Sequence, residues 1–354
     1  MSDTTFSATP FPKVSAMNST QQFLDNMEPT TGIGKWVCHL LIEEGVIGVL
    51  GNLLVCFVIL RVKFLHTMTN YLLVNLAVAD MLVCLECIFY GLIYYENCKI
   101  IDYVPKTFGG KVVFCCFLQS NFLGWALSYA SAYNLCVVTF ERYVALVHPL
   151  QYARKLTATR MKTLIALIWV TSFLFSLPFL FTLKPSNDPD LACSEIEYQD
   201  NTFHILLGVF AFFLSYLLPL TLMSWAYYKI HVTLKRQAKA LNLQHARAAA
   251  YDLVIARQRL VRMLTMVLGA LIILWTPINT NFLLCINPTF SFCGSKGFKY
   301  FEAITCIMLY FNSVINPIIY ELKYKKFRQG LKLTFCCCHK SHGANTVDIA
   351  MVPL

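Results

Sequence analysis

The sequence predicts an all-α membrane protein, a seven-transmembrane helix bundle, and three observations carry that prediction. Of 354 residues, 57% are hydrophobic and only 14% are charged, where a soluble globular chain carries roughly 25% charged residues. Seven apolar runs reach the ~20 residues that a helix needs to cross roughly 30 Å of hydrocarbon. Basic residues concentrate in alternate links between those runs, the asymmetry that orients a membrane protein. The net charge of +10 is too dilute for a nucleic-acid protein, which clusters Lys and Arg on a wettable surface. No nucleic-acid partner is expected.

Residues 1–36 are polar and read as an extracellular N-terminal tail. They lack the basic start and short apolar core of a cleavable signal peptide, so the first helix is expected to do the targeting. Residues 37–322 form the bundle, with runs at Val37–Leu60, Tyr71–Tyr95, Val112–Val147, Met161–Leu183, Phe203–Ile230, Leu260–Ile286 and Tyr300–Leu322. Glu43 and Glu44 interrupt the first run, whose outer end is expected in the interface, and the third is too long to lie wholly in hydrocarbon. Irregular backbone cannot face lipid, so the runs must be helices and the links loops. A basic amphipathic stretch follows at 323–335, then a cytoplasmic tail at 336–354.

The links Arg61–His66, Glu141–Lys162, Lys229–Arg262 and Glu321–Leu354 hold 21 positive and 4 negative charges, a net of +17, against −7 over the rest of the chain. This places the N-terminus outside and the C-terminus in the cytoplasm. No internal repeat relates the two halves, which weakens a transporter reading. Nor is there a filter-like sequence or acidic ring that would suggest a channel. No HExxH, GxSxG or Walker-type motif appears, so covalent chemistry is not expected.

Ionisable and amide side chains are costly in hydrocarbon and turn to the bundle interior. The informative ones are Asn52, Asp80, Ser131, Asn312 and Asn316. Around them stand Gly51-Asn52, Leu76-Ala77-Val78-Ala79-Asp80, Glu141-Arg142-Tyr143, Trp169, Pro219 with Tyr227, Trp275-Thr276-Pro277 and Asn316-Pro317-Ile318-Ile319-Tyr320. Each string is short, but their order and placement, one set per helix, resemble the rhodopsin-like (class A) G-protein-coupled receptors over all seven helices. The stretch Lys323–Phe335 resembles that family's short amphipathic eighth helix on the membrane surface.

The resemblance implies a receptor that binds an extracellular agonist and activates a heterotrimeric G protein, with arrestin and receptor kinases as further partners, at the plasma membrane. Asp80 with Asn52, Ser131, Asn312 and Asn316 resembles the family's sodium-binding centre, and carboxylate, hydroxyl and amide oxygens suit a small hard cation. No cofactor is required; sodium is expected as an allosteric modulator. Glu141, Arg142 and Tyr143 are the implied G-protein-coupling residues. Trp275, Pro277, Asn316, Pro317, Tyr320 and Tyr227 are the implied activation switch, since each proline removes a backbone hydrogen bond and allows a hinge. Three positions depart from the family pattern: Arg257 where an acidic partner for Arg142 often stands, Leu274 for Cys and Leu271 for Phe.

The fifteen cysteines need several explanations. By resemblance, Cys193 in the second outer loop pairs with a thiol at the top of the third helix. Counting back from Arg142 gives Phe117, beside Cys115 and Cys116; Cys116 is taken as the partner. Cys285 and Cys293 either close a small ring or remain thiols. Cys336, Cys337 and Cys338, on the reducing side, suit palmitoylation. Asn18 heads a glycosylation sequon, and the terminal Val352-Pro353-Leu354 suits a PDZ groove.

A retinal-binding Lys is replaced by Tyr310 and the amine-binding Asp by Gly124, which excludes an opsin and weakens an amine ligand. Five carboxylates, Asp188, Asp190, Glu195, Glu197 and Asp200, stand near Lys184 in the outer loop, a field that would gather a cationic ligand. A cationic neuropeptide is the expected agonist, with a lipid or nucleoside as the alternative and a transporter as the competitor from another class. The expected pocket is Glu86, Gln119, Asn121, Trp125, Ser128, Asn279, Phe282, Glu302 and Cys306.

Overall fold

The computed structural model describes residues 33–94, 105, 107–187, 192–196, 201–243, 248–285 and 295–335. Seven of its helices are long and apolar enough to cross a membrane. We label them α1 (Ile33–Arg61), α2 (Met68–Tyr94), α3 (Phe108–Val147), α4 (Ala158–Phe181), α5 (Asn201–Leu243), α6 (Ala248–Cys285) and α7 (Lys296–Lys323). Helix α8 (Lys325–Phe335) follows after a single non-helical residue, Tyr324. Asn18, Cys293 and Cys336 to Cys338 lie outside the described residues, as do Asp188, Asp190, Glu197, Asp200 and the C-terminal Val352-Pro353-Leu354.

These runs are helical because a helix satisfies every backbone group within its own segment. Hydroxyl caps mark their starts: Thr157 Oγ1 accepts from the Arg160 N–H and Ser295 Oγ from the Phe298 N–H. Helices α5 and α6 run on past the expected Ile230 and before the expected Leu260, to Leu243 and from Ala248. The hydrocarbon limits the apolar run, not the helix, and the extensions are rich in Lys, Arg, Ala and Gln, all good helix formers.

Helix α1 packs along α2 and α7, while α3 is central, against α2, α4 and α5. The close fit of α1 on α2 depends on Gly48, where an added Cβ would collide with the Cys84 sulfur. Leu50, Phe57, Phe210 and Ile273 point outward as a lipid-facing shell. Inside, Leu76, Leu135, Val138, Met223, Ile230, Met263, Leu264, Val267 and Tyr320 form the main core toward the cytoplasmic half. Phe327 ties α8 to that core. On the outer side a two-stranded antiparallel hairpin, β1 (Leu183–Pro185) and β2 (Cys193–Glu195), sets Pro185 opposite Cys193.

One expectation needs correction. The disulfide joins Cys115, not Cys116, to Cys193; Cys116 is a free, half-buried thiol. Counting back from Arg142 assumed a regular helix, whereas α3 contains a π-helical stretch at Phe114–Gln119 and a left-handed residue, Asn121, with φ 54°. The wide turn adds a residue and rotates the outer segment. Ser120 repairs the break, donating to the Cys116 carbonyl at 2.5 Å and accepting from the Phe122 N–H. Glu44 of α1 is buried against the bundle, while its neighbour Glu43 is exposed.

Candidate functional site

Asp80 is fully buried at the middle of the bundle. Its Oδ1 accepts from Ser131 at 2.5 Å and its Oδ2 from Asn316 Nδ2 at 2.8 Å, joining α2, α3 and α7. Ser313, buried on the same helical face three residues before Asn316, was missed. Asn52 does not reach Asp80 directly. It donates to the Gly48 and Ser313 carbonyls at 2.9 and 3.0 Å, pinning α1 to α7. Asn312 is buried on α7. The side-chain oxygens of Asn52 and Asn316 are buried and accept from no donor, so the centre holds a carboxylate and spare oxygen ligands of the kind a small hard cation takes.

At the cytoplasmic end of α3, Arg142 donates through Nε and Nη2 to Glu141 at 2.5 and 2.6 Å. Two further donors converge on Glu141 Oε1: Thr69 of α2 at 2.9 Å and the Tyr152 hydroxyl at 2.6 Å. Tyr152 stands on the short helix Pro149–Lys155. Burial first, and then the adjacent carboxylate, push its phenol up to about 12. Neither Thr69 nor Tyr152 was foreseen, because nothing in the local sequence connects them to Glu141. Tyr143 lies apart from this cluster, edge-on to His148 and tilted against Trp225 of α5. Arg257, at the base of α6, has a buried Nε with no acceptor.

Trp275 is buried on α6, two residues before Pro277, and its indole N–H has no partner. Asn279 donates back to its carbonyl at 2.9 Å. Tyr216 of α5 meets Thr276 at 2.5 Å, so the segment beside Pro277 is held to α5. Pro219 opens the last segment of α5, after a second π-helical stretch at Phe213–Leu217. Pro317 sits inside α7. Tyr227 accepts from Thr139 at 3.2 Å, whereas the buried Tyr320 hydroxyl has no partner. Leu271 is buried in the core below Trp275.

The residues of the expected outer pocket fall in several settings. Glu86 of α2 accepts from Tyr310 of α7 at 2.7 Å and faces Gly124 of α3. Asn121 points at the same glycine. Cys306 and Glu302 lie on α7, and both Glu302 and Glu86 are within electrostatic reach of Cys306. Trp125 turns away to stack on Phe179 at 5.3 Å, with Tyr129 beside it. Ser128 is buried in α3, Phe282 is half-buried on α6 and Gln119 falls in the π-helical stretch. Cys285 is disulfide-bonded. Glu195 ends β2, and exposed Lys184 is on β1.

Residues 51–320 match the profile of the 7 transmembrane receptor (rhodopsin family). Neuromedin-U receptor 2 of Rattus norvegicus is 30% identical over 353 residues, covering 94% of this chain and 84% of the relative. Substance-P receptor of Rattus norvegicus is 30% identical over 338 residues, covering 93% and 77%. Neuromedin-U receptor 1 of the same species is 31% identical over 329 residues, covering 86% and 74%. These relatives are receptors and not enzymes. With seven spanning helices around a buried Asp80 centre and a Glu141–Arg142 pair at the end of α3, the chain belongs to the rhodopsin family of seven-transmembrane receptors.

Proposed function

We propose that the chain is a plasma-membrane receptor for a cationic neuropeptide and couples agonist binding to nucleotide exchange on a heterotrimeric G protein. The observation that carries this reading is the match to neuromedin-U and substance-P receptors over most of the chain. The charge pattern supports the orientation: basic links on the cytoplasmic side suit an anionic inner leaflet, and the acidic outer loop suits a cationic ligand. Arg142, held by Glu141 at the helix end, is the group we assign to G-protein contact; arrestin and receptor kinases would meet the same face. The Asp80 centre is assigned to sodium, as an allosteric modulator. Asn18 is assigned to glycosylation, and Cys336, Cys337 and Cys338 to palmitoylation.

A screen of cationic peptides, including neuromedin U and substance P, with calcium and cyclic-AMP readouts tests the reading. Activation by a peptide at submicromolar concentration is expected. Silence across the library with a response to lipids or nucleosides would overturn the peptide assignment, and substrate uptake without G-protein activation would overturn the receptor mechanism.

A further inference from the structure

Toward the outer end of the bundle, Asn121 Oδ1 and both Glu44 carboxyl oxygens are buried and accept from no donor. Glu86 reaches from α2 toward α3, where its carboxyl carbon lies 2.9 Å from the point a Cβ would occupy at Gly124. The Asn121 carbonyl oxygen crowds the same point. Any side chain at 124 would displace both, so the bare backbone there makes room for two oxygen-bearing groups. Asn121 Oδ1 is buried and accepts from nothing. Its left-handed backbone, the only positive φ at a non-glycine among the described residues, follows the π-helical stretch.

Glu86 has one donor, the Tyr310 hydroxyl, and no basic side chain among the described residues acts on it. Behind it lies more acid. Glu44 of α1 is 8% exposed and neither of its carboxyl oxygens has a partner. Glu86, Glu302 and Glu44 all lie within electrostatic reach of the Cys306 thiol. Tyr90 and Tyr310, with ring centroids 6.0 Å apart, form an aromatic wall on the same side.

A half-buried carboxylate on which no basic side chain among the described residues acts, an idle amide oxygen and aromatic faces complement one chemistry: a cation with several N–H donors. We propose that Glu86 and Asn121, converging over Gly124, are the recognition point for a guanidinium or primary ammonium of the agonist. Helix α2 supplies the carboxylate because Gly124 leaves α3 unable to do so. The assignment of the cation to a peptide rests on the receptor reading above; the subsite itself rests on the geometry.

The test uses the purified full-length chain in lipid nanodiscs and four small probes, read by thermal unfolding and tryptophan fluorescence. N-acetyl-arginine amide offers only a guanidinium, N-acetyl-lysine amide only a side-chain ammonium, phenylalanine amide only an N-terminal amine, and N-acetyl-citrulline amide is the neutral isostere of the first. Saturable stabilisation by at least one cation, absent with the citrulline probe, is expected, and the cation that works names the group recognised. Glu86→Gln, which keeps an acceptor for Tyr310 but removes the charge, should weaken that probe about tenfold or more. If Glu86→Gln does not fold, Tyr310→Phe should weaken the same probe by about threefold or more, because it frees the carboxylate from its positioning donor. No cation outperforming citrulline, or unchanged affinity in the variant that folds, overturns the proposal. The two readings fail separately. A peptide that activates the Glu86→Gln receptor as well as wild type sinks the subsite alone, and Glu86-dependent cation binding with no active peptide sinks the peptide reading alone.

Discussion

Single side chains decide most of the chemistry here, and their worth depends on what meets them. Asp80 was recognisable because a carboxylate inside an apolar helix needs a reason, and Ser131 and Asn316 are its partners. Asn52 was equally conspicuous but bonds to backbone carbonyls instead, a difference of a few ångströms that no string of letters encodes. We expect Asp80→Asn to abolish the effect of sodium on agonist affinity, measured as competition binding with and without sodium chloride. An unchanged sodium response would remove the ion from this centre. Glu141 accepts from three side chains, so Glu141→Gln should free Arg142 and raise agonist-independent nucleotide exchange by about tenfold or more, a lost charge-assisted bond being worth ~1.5–3 kcal/mol. Tyr152→Phe, which removes one neutral donor from the same carboxylate, should produce a smaller rise in the same assay.

Whole elements were legible in proportion to their regularity. Seven apolar runs gave seven spanning helices, since lipid leaves the backbone no other choice. What the runs hid were the irregular turns. The π-helical stretch in α3 moved the disulfide by one residue, from Cys116 to Cys115, and a wide turn of this kind leaves no periodic signal. Paired substitutions separate the two thiols. Cys115→Ser should open the bond to Cys193 and lower stability by up to about 4 kcal/mol for so long a closed loop, seen as a lower unfolding midpoint and reduced surface expression, while Cys116→Ser should match wild type. The reverse pattern would place the bond at Cys116. Between α1 and α2 the approach depends on Gly48; Gly48→Val must push the Cys84 sulfur or the helix aside and should cost ~1–3 kcal/mol as an overpacked contact, read as a drop in unfolding midpoint in detergent.

At the scale of the whole molecule, charge and hinges determine how the bundle responds. Four alternate links carry +17 against −7 elsewhere, the asymmetry on which the proposed orientation rests. Arg142 has its acidic partner beside it on α3, and α6 offers Arg257 where a second carboxylate would have locked the helices together. We therefore expect basal signalling above that of cells lacking the receptor, and Arg257→Glu should lower it; equal basal signals in wild type and mock-transfected cells would contradict this. The family and its helix count were legible from the sequence, whereas the packing of individual outer residues was not. Trp125, whose backbone N–H bonds to the Asn121 carbonyl, stacks on Phe179, a contact across helices that the local sequence does not encode. The most direct test of the account is guanine-nucleotide exchange on a purified heterotrimer, catalysed by the reconstituted receptor with an activating cationic peptide. The account predicts peptide-stimulated exchange that is lost in Arg142→Ala while peptide binding persists; exchange unaffected by that substitution, or no stimulation by any peptide that binds, would contradict it.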